Sequence, residues 1–228
     1  MLSCYGATVS LSVYANKIAR WAIVYTTQAA KGVDLNEYVA IKRLKRGDIS
    51  GLATLVRRYE VEAVRTAFLI TRDRALAEDV VQNTFLTIAQ RIEQYDEARP
   101  FAPWFMRSVV NAAIQAARRQ QRHLSLDAAP ANAPGITFAD LLPDPAPGPE
   151  TEVERGEQRQ AIWDALGQLN PEQRAAVVMR YYLEMSDTEM SDQLQVAPGT
   201  VRWRLHAARK QLRALLGARE ERKPWTTG

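Results

Sequence analysis

The chain of 228 residues has few of the side chains that build metal sites, disulfides and active centres, with one cysteine, Cys4, and two histidines, His123 and His206. A single cysteine excludes an intramolecular disulfide framework and a cysteine-rich zinc site, and it accords with a reducing compartment, by default the cytoplasm. Both histidines fall in basic segments, and no nucleophile or carboxylate set has a suggestive partner. The pattern therefore argues against an enzyme and points to no catalytic residue, no metal and no cofactor. No apolar run approaches a membrane span, and the stretch around Lys17 and Arg20 lacks the apolar core of a secretory signal, so stable membrane insertion is not expected. Strand-period alternation is also missing over any useful length, which leaves an all-α fold.

Acidic residues are scarce in some regions and concentrated in others, so the net charge of +4 is sorted along the chain. Met1 to Val33 has none, shows weak periodicity and reads as an extension, residues 1–33. Between Ser125 and Glu157 the acids Asp127, Asp140, Asp144, Glu150, Glu152, Glu154 and Glu157 face only Arg155. Six of the eleven prolines lie between Pro130 and Pro149, which forbids a continuous helix and suits an extended tether over residues 124–153. Within it, Ile136 to Leu142 could dock as a short segment. The remainder divides into two small helical domains, residues 34–123 and 154–217, and a short tail, residues 218–228.

In the first domain Leu35, Tyr38, Ile41 and Leu44 form one apolar stripe, closed by Gly47 with Asp48 placed to cap the next helix. Leu52, Leu55, Val56, Tyr59, Ala63, Ala67 and Ile70 keep a long second helix apolar on one side, and the pattern resets at Thr71 to Arg74. A third helix, from about Ala75 to Ile92, turns Val81, Phe85, Ile88 and Ile92 inward and leaves Asp79, Gln82 and Asn83 together on its outer face. After a loop from Tyr95 to Pro103, a fourth helix from Trp104 to Arg122 buries Phe105, Val109, Ala112 and Ala116. Its other side carries Ser108, Asn111, Gln115, Arg118, Arg119 and Arg122, increasingly basic toward the end.

The second domain contains about four helices. Ile162, Leu166 and Leu169 lead to Asn170, Pro171 and Gln173, a cap with proline at the first helical position. Ser186 and Glu189 form a capping box for a short helix that buries Met190 and Leu194, and Pro198 opens the next. There Val201, Leu205, Ala208 and Leu212 make one apolar stripe. The remaining surface holds Thr200, Arg202, Trp203, Arg204, His206, Arg209, Lys210 and Arg213 with no carboxylate among them. A helix-turn-helix with such a second helix suits a DNA major groove, although a basic helix is often only a solvated face.

Two separated blocks, AEDVVQNTFLTIAQRIEQYDEARPFAPWFMRSVVNAAIQAARRQQR (77–122) and LGQLNPEQRAAVVMRYYLEMSDTEMSDQLQVAPGTVRWRLHAARKQLRALL (166–216), resemble regions 2 and 4 of bacterial sigma factors. KRLKRGDISGLATLVRRY, residues 42–59, resembles the start of region 2. The short interval between the blocks and the want of an acidic leader point to the extracytoplasmic-function group. The resemblance implies binding to core RNA polymerase and to promoter DNA, with region 2 opening and reading the −10 element and region 4 recognising the −35 element. An anti-sigma factor or other regulator is a further implied partner.

Carried onto this chain, the resemblance sets Asp79, Gln82 and Asn83 against the clamp helices of the polymerase largest subunit, with Asn83 where glutamate is frequent. It sets Phe101, Trp104, Asn111, Gln115, Arg118, Arg119 and Arg122 against the −10 element. Aromatics beside positive charge can hold unpaired bases, at about 1 to 3 kcal/mol per stacked base. The alternative is that all three aromatics, Phe101, Trp104 and Phe105, are core, Phe105 and Trp104 foremost. Gln115 stands where aspartate is common. Against the −35 element it sets Thr200, Arg202, Trp203, Arg204, His206, Arg209 and Lys210. Within that motif Ala197 replaces a serine cap, Trp203 a small polar residue and Ala207 an arginine. Gln195 fills a glycine turn position, where a left-handed conformation costs about 1 to 2 kcal/mol.

The tether reaches. About thirty residues span at most roughly 100 Å, at about 3.3 Å each. Promoter elements one and a half to two helical turns apart lie about 50 to 70 Å from each other. A competing reading is a polymerase-independent helix-turn-helix regulator. Against it stands the order of polar patch, aromatic loop and basic helix end in residues 77–122, for which a sensor domain has no use.

Overall fold

The computed structural model describes residues 35–126 and 159–220. The expected extension, most of the tether including Ile136 to Leu142, and all but the start of the expected tail lie outside them. Among the described residues the regular structure is helical, with no strand. The first domain holds α1 (Leu35–Lys45), α2 (Ser50–Thr71), α3 (Arg74–Gln90), a 3-10 turn (Ile92–Gln94) and α4 (Phe101–Leu126). The second holds α5 (residues 159–167), α6 (Pro171–Tyr181), α7 (Asp187–Leu194) and α8 (Pro198–Glu220).

The stripe expected on α1 is corrected. Leu35 is 75% exposed and Tyr38 is exposed, and Glu37, Ala40, Ile41 and Leu44 turn inward instead. A carboxylate can take the inward position because the Tyr59 hydroxyl donates to Glu37 and Arg58 Nε lies 3.0 Å from it. Burial, and then the neighbouring Glu37, push the Tyr59 phenol well above its usual pKa. α1 and α2 approach closely: a Cβ on Gly51 would stand 2.2 Å from the Ala40 carbonyl oxygen, so only glycine fits. Asp48 accepts from the Ser50 amide at 2.9 Å, just ahead of α2.

The reset at Thr71 to Arg74 is a tight corner. Arg72 closes α2 in the left-handed region at φ 63, and Asp73 caps α3 by accepting from the Leu76 amide at 3.0 Å. The loop beginning at Tyr95 is pinned to α1, with Lys45 Nζ donating to the Tyr95 carbonyl at 3.0 Å and Glu97 bridging Lys42 and Lys45 at 2.8 and 3.0 Å. These two lysines hold the Glu97 carboxyl below its ordinary pKa.

α4 begins at Phe101, three residues before the expected start. Pro103 therefore lies in its first turn, where the missing amide would have had no helical partner. Phe105, Met106, Val109, Val110, Ala113, Ile114 and Ala117 are buried, whereas the expected Ala112 and Ala116 are only half-buried.

In the second domain Asn170 accepts from the Gln173 amide at 2.8 Å and Gln173 Oε1 accepts from the Asn170 amide at 3.2 Å, completing a capping box ahead of Pro171. α6 packs on both α8 and α2, so the two domains share one apolar core. At their junction the Trp163 ring stacks on Phe68 with centroids 4.7 Å apart, and the Arg72 guanidinium lies 4.7 Å from the same indole. A Cβ on Gly167 would fall 1.7 Å from Arg72 Nη1, so the glycine makes room for that cation.

Candidate nucleic-acid interface

The helix-turn-helix is built from local hydrogen bonds. Ser186 Oγ accepts from the Glu189 amide at 3.2 Å, and Glu189 Oε2 accepts from the Ser186 amide at 2.7 Å. The Ser186 hydroxyl also donates to Glu189 Oε2 at 2.7 Å, and this bond, followed by that from the Ser186 amide, holds the Glu189 carboxyl below its ordinary pKa. Gln195 adopts the left-handed turn at φ 54 and ψ 45. The turn is secured beyond it, where Ser191 Oγ donates to the Val196 carbonyl at 2.6 Å. Met190 at 0% exposure anchors α7, while Leu194 is only half-buried.

α8 buries Val201, Leu205 and Ala208, with Leu212 half-buried. The opposite side exposes Arg202, Trp203, His206 and Lys210. Thr200, Arg204 and Arg209 are half-buried, and Arg209 Nε donates to the Tyr181 hydroxyl at 3.0 Å, so this guanidinium also braces α6. Of the seven residues expected to face duplex DNA, four form an open row and three lie along its flank.

On α4, Gln115, Arg118, Arg119 and Arg122 are exposed, and Asn111 and Trp104 are half-buried. Phe101 is not part of a base-holding surface as expected. At 1% exposure it lies among Tyr59, Tyr95, Trp104 and Phe105, with centroids 5.4 to 6.0 Å away, because the earlier start of α4 turns it into the core. Trp104 remains at the rim, 5.1 Å from Tyr95. Arg118 pairs with Glu172 of α6, and Gln193 Nε2 of α7 donates to the Pro103 carbonyl at 3.0 Å. The second domain thus touches α4 at its first turn and again at Arg118.

On α3, Asp79, Gln82 and Asn83 are exposed side by side. A neighbouring groove of about 650 Å³ between α2 and α3 was not anticipated; Leu52, Val56, Val61, Val64, Phe85 and Leu86 supply its apolar lining. Its signal was Val61 and Leu86, apolar residues off the two stripes and exposed by 59% and 55%. Among the described residues no group of three or more His, Cys, Asp or Glu side chains could hold a metal ion. No described helix is long and apolar enough to cross a membrane.

The family model described as Sigma-70 region 2 matches residues 55–123, and that described as Sigma-70, region 4 matches residues 159–212. ECF RNA polymerase sigma factor SigW of Bacillus subtilis is 28% identical over 176 residues, 77% of this chain and 94% of that protein. SigL of Mycobacterium tuberculosis is 37% identical over 153 residues, covering 67% and 81% of the two chains. Among solved structures, the sigma factor RpoE of Bartonella quintana in complex with the anti-sigma factor NepR shares the fold. Its TM-score is 0.52 at 19% identity, covering 77% of this chain and 98% of that one.

Proposed function

Because the chain belongs to the extracytoplasmic-function group of the sigma-70 family, and so binds core RNA polymerase to start transcription at specific promoters, we propose how its surfaces divide that work. Asp79, Gln82 and Asn83 bind the polymerase, with Leu86 and Val61 adding apolar contact beside them. Trp104, Asn111, Gln115, Arg118, Arg119 and Arg122 engage the −10 element, and Phe101 acts only by seating Trp104. Thr200, Arg202, Trp203, Arg204, His206, Arg209 and Lys210 form the −35 surface, of which Arg202, Trp203, His206 and Lys210 are exposed. The chain works as a non-catalytic factor in the cytoplasm.

The observation that carries this reading is the open row on α8. Its four side chains include three bases and no acid, on a helix whose other side is fixed to α6 and α7. Such a row gives affinity through phosphates and discrimination through base edges. Promoter elements about 50 to 70 Å apart cannot be read by domains in direct contact. The junctions where the Arg174 guanidinium of α6 donates to the Ile70 carbonyl of α2 and where Arg118 pairs with Glu172 therefore part when the polymerase complex forms on DNA. An anti-sigma partner is supported by the RpoE–NepR complex among the proteins of like fold.

The test is co-purification of the full chain with its host core polymerase, followed by run-off transcription from promoters mapped after overexpression. Core binding and a specific start site are expected; no association with core polymerase would overturn the assignment.

A further inference from the structure

Trp203 is 64% exposed, the largest of the exposed apolar side chains among the described residues. It lies beside Arg202 and one turn before His206, on the face opposite Val201, Leu205 and Ala208. The fold makes no use of it there, since the apolar stripe that holds α8 in place is complete without it. An exposed indole amid cations on a groove-facing helix calls for a binding explanation.

An indole cannot make the two-point hydrogen bonds by which arginine reads guanine or asparagine reads adenine. What it offers is a flat apolar surface with one N–H donor. In the major groove the base edges present donors and acceptors, and the apolar mark among them is the C5-methyl group of thymine. Laying the ring over any other edge would strip water from acceptors and donors without replacing their bonds. We propose that Trp203 reads a thymine methyl group in the −35 element, next to the base pair contacted by Arg202. This deepens the assignment of α8 to the −35 element and rests on it. The chain's −35 preference therefore includes a methyl-dependent thymine.

The test uses the full chain assembled with core polymerase. Duplexes randomised across the −35 element are selected by the wild-type holoenzyme and by Trp203→Ser. Wild type is expected to select thymine at one position, and the variant to lose that selection while retaining the preference that depends on Arg202. Replacing that thymine with deoxyuridine, which lacks only the methyl group, should weaken wild-type binding about fourfold, the value of one buried methyl. Trp203→Ser should bind both duplexes equally, and Trp203→Leu should retain part of the effect. Equal deoxyuridine effects in wild type and Trp203→Ser, or none in either, overturn the proposal and leave the −35 assignment standing. A wild-type holoenzyme that initiates without any −35 selection overturns both.

Discussion

Arg174 of α6 donates to the carbonyl of Ile70 in α2 at 2.6 Å, across 104 residues of sequence, and in doing so joins the two domains. The same guanidinium donates to the carbonyls of Leu166 and Leu169 at 3.0 and 2.8 Å. Burial, and secondarily the Arg72 charge, lower its pKa to about 10, so it stays charged at neutral pH. Three carbonyl dipoles offset the cost of keeping that charge away from water.

Arg174→Met keeps the apolar stem and removes every donor. Each buried carbonyl left without a partner costs about 1 to 3 kcal/mol, so an overall loss of about 3 kcal/mol is expected after partial hydration. Urea unfolding of the full chain measures it. A change below about 0.5 kcal/mol would show that water replaces the guanidinium at little cost and that Arg174 does not hold the junction.

The Arg118–Glu172 pair has a different consequence, because Arg118 is half-exposed and such pairs contribute only about 0.2 to 1 kcal/mol. Glu172→Gln should hardly alter stability. It should raise the affinity of the free chain for a single-stranded −10 oligonucleotide by up to about fivefold, since Arg118 no longer has to leave a partner. Fluorescence anisotropy at fixed salt reads the change. An unaltered affinity would place Arg118 outside the path of the strand.

The capping box of α7 makes the helix-turn-helix sensitive to acid. The Glu189 carboxyl is held below its reference value of 4.5, so the folded form binds the proton less readily than the unfolded form. Its stabilisation is present above pH 4.5 and is lost as pH falls through the lower folded value. Amide exchange in α7 should accelerate over that range in the wild type, while Glu189→Gln should show a flatter profile. Ser186→Ala, which removes the reciprocal acceptor, should cost about 1 kcal/mol. Parallel pH profiles in wild type and Glu189→Gln would assign the acid sensitivity to another group.

The capping box of Ser186 and Glu189 and the Asn170 cap are legible from the sequence because each depends on residues within a few positions, whereas the left-handed turn at Gln195 is signalled only by the family's usual glycine there. The inward Glu37 is not legible, since its partners Arg58 and Tyr59 come from the next helix. Phe101 was misplaced for a related reason. Two prolines suggested a loop through Pro103, but the fold accepts a proline in the first turn and uses Phe101 to close an aromatic cluster. Arg174 carried no local sign at all, because the carbonyl it meets in α2 is brought near only when the domains pack.

Arg202 and Arg119 separate specificity from affinity. Arg202 is exposed on the open row of α8, where a guanidinium can take two hydrogen bonds from guanine, worth about 1 to 3 kcal/mol of discrimination. Arg119 is exposed near the basic end of α4, where backbone phosphates are the natural partners. Arg202→Ala should relax the preference at one −35 position, by about five- to 150-fold over that range, and leave −10 preference unchanged. Arg119→Ala should weaken all promoter variants alike and lower the slope of log affinity against log salt by about 1. Holoenzyme binding to a panel of single-base promoter variants at two salt concentrations distinguishes them, and equal losses across the panel for both substitutions would remove Arg202 from base recognition.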